Sequence, residues 1–178
     1  IAAAALTMIE TVGGERGFSL WQPLRRRVSL ERDGETIDVS IEMRGADGGP
    51  WNGICALPAF WVGLMYDQTA LDAAWDQVKH WTMEERETLR NAVPRLGLDA
   101  PIPGGETLQN LSKRILDISS VGLKARGRLN SSGDNETGFL DPLREIVSSG
   151  KSSAQRLLDL YHSDWNGDVS KIYDEMSF

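Results

Sequence analysis

Cysteine is nearly absent from this chain: its 178 residues contain one, Cys55. A single thiol cannot form an internal disulfide. It also excludes Cys-rich zinc modules and CxxC redox pairs. Histidine is almost as scarce, with only His80 and His162, and neither has a neighbouring ligand at metal spacing. No apolar run reaches the ~18 residues of a membrane span. The opening stretch Ile1–Ile9 is short, lacks a basic flank and reads as a helix start rather than a signal core. Cations are outnumbered, 19 Lys+Arg against 26 Asp+Glu, for a formal charge of −7. That balance argues against a nucleic-acid binder, which usually carries a basic stripe, yet allows local cationic pockets for anionic substrates. No GxSxG elbow supports Ser/His/Asp chemistry. The lone thiol and the acidic balance point to the cytoplasm.

What is present suffices for a core. Hydrophobic residues make up 40% of the chain and six are Trp. The length suits one domain, or one with a small annex, able to bury about two-thirds of its unfolded surface. Val28 and Leu30 alternate with polar neighbours, as do Ile37, Val39, Ile41 and Met43. Asp33-Gly34 between them is a two-residue hairpin turn. It sets Leu30 opposite Ile37 and Val28 opposite Val39, and a slip of one residue would invert the apolar face. Gly45 to Pro50 breaks the strand.

Helical patterns follow. Leu57 to Tyr66 is almost wholly apolar and reads as a buried helix. Gln68 to Trp81 carries Leu71, Ala74, Trp75 and Val78 on one stripe. Thr82 and Glu85 form a capping box for a helix closed by Pro94 and Gly97. Asp99 to Gly105 is a loop, and Leu108 to Gly122 marks a long helix. Asn130 to Gly138 is a second loop. Asp141-Pro142 caps and starts a helix ending at Gly150, and Ser152 or Ser153 caps another running to Tyr161. Trp165 to Asp168 turns into a short terminal helix. The fold class is α+β: a small antiparallel β-ribbon or sheet remnant over about 25–44, then a mainly α-helical region. Residues 1–50 form an amino-terminal helix plus the hairpin, and residues 51–178 the helical region, together one compact unit.

Most candidate motifs have an ordinary reading. Gly150-Lys151-Ser152 ends like a phosphate loop, but Glu145 stands where that motif needs Gly and a helix precedes it. Lys151 reads as a helix C-terminal cation, and His80 as a helix-end residue. Trp61, Trp75 and Trp81 fall on core-facing positions. Glu42-Met43-Arg44 is the strongest chemical candidate. Residues two apart on a strand share a face. The carboxylate is a hard oxygen ligand suited to Mg²⁺, and the guanidinium can hold a transferring phosphoryl group in a planar fork. The pair therefore fits metal-assisted phosphoryl transfer. From spacing alone, a cross-strand salt bridge on a solvated face is favoured over that reading. The glycines of Gly45 to Pro50 would let backbone approach a ligand. Asp47 would support a metal-bound water or orient Arg44, or merely belong to a turn.

The stretches Glu42 to Trp51 and Cys55 to Leu64 resemble the plant and proteobacterial type of glutamate–cysteine ligase. The resemblance continues through Tyr66-Asp67, Asp76 to Val78, Ala92 to Leu98, Glu136 to Leu143 and the Trp165 turn. It covers about Ser40 to Phe178. It implies an enzyme that joins the γ-carboxyl of L-glutamate to the amine of L-cysteine, using ATP and Mg²⁺ through a γ-glutamyl phosphate, in the first step of glutathione synthesis. It implies a glutamine-synthetase-like curved sheet with helices outside, Glu42 as a ligand to Mg²⁺, and Arg44 on the transferred phosphoryl group.

Family members are longer, and only 41 residues precede Glu42 here. The hairpin resembles one near the family's amino terminus, which there leads into a Glu-Pro-Gly-Gly stretch. Here it runs directly into Glu-Met-Arg-Gly. The expectation is a carboxy-terminal portion lacking most of the catalytic sheet, with activity of the lone chain in question. A non-catalytic helical remnant or interaction domain of the same family is the alternative, and a ligase for a different amine stays open. An exposed ribbon edge invites pairing with another chain. Cys55 corresponds to a cysteine that plant members pair in a redox disulfide. Without a second Cys, it reads as a buried helix-start residue.

Overall fold

The fold is mostly helical. The computed structural model describes residues 53–175 with their side chains, and the backbone of residues 28–32 and 35–39. Strands β1 (Val28–Arg32) and β2 (Glu35–Val39) pair antiparallel, with Val28 opposite Val39 and Leu30 opposite Ile37, the register expected from the sequence. The turn itself and residues 25–27 and 40–44 of the expected ribbon lie outside the described residues.

The first helix, α1 (Ala56–Met65), is apolar nearly all round, so it is buried rather than amphipathic. Ala56, Ala59, Phe60, Trp61, Gly63 and Leu64 are all enclosed. Phe60 and Trp61 meet edge to face with centroids 5.2 Å apart. Helix α2 (Gln68–Asp76) begins at Asp67, whose carboxylate accepts the Ala70 N–H at 2.8 Å. It ends at Asp76, short of Trp81. The Gln77 and Val78 N–H groups fold back to the carbonyls of Ala74 and Trp75, tightening the last turn. Arg86 of the next helix then takes the carbonyls of Val78 and Trp81, at 3.2 Å each, and lies over the Trp75 ring. Val78 stays buried although the helix has stopped.

Helix α3 (Met83–Leu96) opens on the Thr82/Glu85 capping box and ends at Gly97, whose φ is +55°. Pro94 does not close it. It lies inside the last turn on the exposed side, where its ring removes one backbone donor and the helix continues to Leu96. A 3-10 turn (Gly97–Asp99) and a tight excursion closed by the Pro101–Thr107 bridge follow. This loop is not wholly a surface feature, because Ala100 and Ile102 enter the core.

Helix α4 (Leu108–Arg126) is the spine. Leu108, Leu111, Ile115, Leu116 and Leu123 form its buried stripe, and Gly127 ends it in the left-handed conformation. Its main partner is α1. At their crossing a methyl group on Gly122 would overlap the Gly63 carbonyl oxygen, and one on Gly63 would overlap the Ser119 carbonyl. The Ser119 hydroxyl donates to the Phe60 carbonyl at 2.9 Å. Only side chains this small let the two backbones meet.

After the second loop, a 3-10 turn (Glu136–Leu140) packs on α1 and α4. It leads into α5 (Asp141–Ser149), where Leu140 takes the N-cap position without a side-chain bond and Asp141, expected as the cap, falls in the first turn with Pro142. Gly150 ends this helix with φ of +71°. Lys151 is not a cap for it. It reaches forward to Asp159 of α6 (Ser153–His162) at 2.7 Å, a helix capped by Ser152. Trp165 is buried in the turn that follows, and a 3-10 turn (Val169–Lys171) and α7 (Ile172–Glu175) complete the described residues. Among them, no helix is long and apolar enough to cross a membrane.

Candidate functional site

Glu42, Arg44 and Asp47 lie outside the described residues. What the structure describes is the mount on which their segment ends. The chain enters α1 through Gly53, Ile54 and Cys55. Cys55 is the helix-start residue, as expected, but it is exposed, not buried. It sits one residue ahead of the enclosed face that begins at Ala56, and its side chain makes no cap bond. The helix behind it is held rigidly. Its Gly63 turn is wedged against Ser119 and Gly122, and the 3-10 turn at Glu136–Leu140 covers another side.

That 3-10 turn is itself fastened by one cation. The Arg144 guanidinium donates to the Thr137 carbonyl at 3.1 Å, the Ser120 hydroxyl at 3.1 Å and the Asp141 carboxylate at 2.6 Å. Beside it, Arg126 lies over the Tyr66 ring, 5.6 Å from its centroid, and 3.6 Å from the Glu136 carboxylate. The loop before it is tied to itself. Asn130 accepts the N–H groups of Ser132 and Asp134, each at 2.9 Å, and Asn135 accepts from Thr137. An open hollow of about 660 Å³ lies here, lined by Asn130, Asp134, Asn135, Thr137 and Phe139 among others.

The titration shifts of the described carboxyls have structural causes. Glu85 is held below the ordinary range by the Thr82 backbone N–H and then the Thr82 hydroxyl. Asp159 is lowered first by Lys151 and then by Gln155, and Asp168 by Ser170. All three serve caps or helix ties. His80 is exposed just past α2, and His162 is exposed at the end of α6 with its ring edge-on to Tyr161. Among the described residues, no group of three or more His, Cys, Asp or Glu is placed to hold a metal ion. The devices not foreseen from sequence are the Gly63–Gly122 contact and the Arg144 and Arg86 clamps. The signal for the first was the run of small residues on α4, Ser119-Ser120 followed by Gly122.

The family model for glutamate-cysteine ligase family 2 matches residues 5–175. The chain belongs to this family. The match also takes in the hairpin and most of the residues before it, beyond the Ser40 start of the sequence resemblance. Similar proteins include the chloroplastic glutamate–cysteine ligases of Medicago truncatula and Nicotiana tabacum. Each is 44% identical over 138 residues, which is 78% of this chain and 26% and 25% of those proteins, respectively. The Arabidopsis thaliana chloroplastic glutamate–cysteine ligase is 43% identical over 138 residues, 78% of this chain and 25% of that protein. The chain thus spans about a quarter of the length of the curated relatives it matches. The cytoplasmic placement expected from composition is corrected by these names, since the relatives are chloroplastic. A lone thiol and a net negative charge are compatible with many reducing compartments and do not single one out.

Proposed function

We propose that the chain carries the Glu-Met-Arg element of a glutamate–cysteine ligase site. The observation that supports this best is the 44% identity to proteins named glutamate–cysteine ligase, joined to the strand spacing of Glu42 and Arg44. In this reading the γ-carboxylate of L-glutamate attacks the terminal phosphorus of ATP and ADP leaves. The amine of L-cysteine then attacks the acyl phosphate, and inorganic phosphate leaves as the amide forms. The Arg44 guanidinium holds the transferring phosphoryl oxygens. Glu42 holds Mg²⁺, and the donor chemistry fits, because Mg²⁺ keeps several waters and takes one or two protein carboxylates beside phosphate oxygens. When bound, the ion neutralises charge developing on those oxygens. Asp47 orients Arg44 or a metal-bound water. Residues 1–50 would be an amino-terminal helix plus the hairpin ending in that strand, and residues 51–178 the helical region. A plastid setting for the chain rests on the names of its relatives alone.

The test is ADP release by the folded chain with Mg-ATP and L-glutamate, with and without L-cysteine, beside Glu42→Gln. Cysteine-dependent release, lost in the variant together with Mg-ATP affinity, is the expected result. Unchanged nucleotide binding in a folded variant removes the assignment of Glu42. No turnover from a folded chain favours the alternative, a non-catalytic helical remnant or interaction domain of the same family. The observation behind that alternative is that the conspicuous devices of the described residues serve packing and capping. Self-association belongs to either reading. Among the described residues β1 and β2 pair only with each other, and an open edge templates a further strand. Sedimentation under reducing conditions should show concentration-dependent association, and a strict monomer at all concentrations would exclude it.

A further inference from the structure

No further inference is drawn: the strongest candidate, the exposed patch of Tyr66 and Phe139 beside the Arg126–Glu136 ion pair where α1, α4 and the Glu136–Leu140 turn meet, carries nothing because nothing in the structure shows what covers it.

Discussion

Gly122 sets how closely α4 approaches α1. Its absent Cβ is the space occupied by the Gly63 carbonyl. That atom is backbone in a buried helix, so it cannot swing aside as a flexible side chain would. Gly122→Ala must therefore separate α1 from α4, and overpacking of this kind is destabilising by about 1–3 kcal/mol, with backbone atoms on both sides placing it toward the upper end. Urea unfolding of the variant measures it, and a change below about 1 kcal/mol would show that the helices can slide apart freely. The Ser119 hydroxyl beside it is a smaller matter, since one neutral hydrogen bond contributes about 1 kcal/mol net. Cys55 is the other residue whose surroundings matter. It is exposed in the fold and is the sole thiol of the sequence. One equivalent of a thiol reagent should label the native chain without denaturant. A mild oxidant should yield covalent pairs of chains. Protection of the thiol until unfolding would contradict the structure.

At the scale of elements, the caps were the most legible feature, because a cap is a local chemical pattern. Thr82 and Glu85 close their reciprocal bonds at 2.7 Å and 3.2 Å, as the spacing demanded. The lowered Glu85 titration makes this cap sensitive to acid. Its folded value lies below its unfolded one. Its contribution is therefore complete above the ordinary carboxylate pKa, near ~4.3, and is lost as pH falls through the folded value. The stability gap between the wild type and Glu85→Ala should be widest near neutral pH and narrow below about pH 4. A gap independent of pH would mean that the ionised carboxylate is not what caps α3. The end of α2 was not legible in the same way. Leu71, Ala74, Trp75 and Val78 keep helical spacing, but the Gln77 and Val78 N–H groups turn back to the carbonyls of Ala74 and Trp75, and Arg86, one helix further on, satisfies the Val78 and Trp81 carbonyls beyond that tightened turn. Pro94 misled for a related reason. A proline breaks a helix where its neighbours need the lost donor, and the exposed last turn has little such need.

For the whole molecule, the apolar spacing of α1 and α4 already marked the core. Phe60, Trp61, Leu64, Leu108, Leu111 and Ile115 all enter one cluster. The site reading is of a different kind. Glu42, Arg44 and Asp47 were singled out from strand spacing and a family likeness, and they lie outside the described residues. Local patterns by themselves determined that α1 to α6 are helical, that Thr82 and Gly150 bound two of them, and the family to which the chain belongs. Each depends on neighbours a few residues apart, or on a long collinear pattern of side chains. Tertiary structure alone decided that Gly63 meets Gly122, that Arg144 ties the Glu136–Leu140 turn to α4, that Arg86 takes the carbonyls beyond the end of α2, and that Cys55 faces outward. These depend on atoms brought together from distant parts of the chain, or on which way a helix end faces once packed. A one-dimensional pattern carries no term for either.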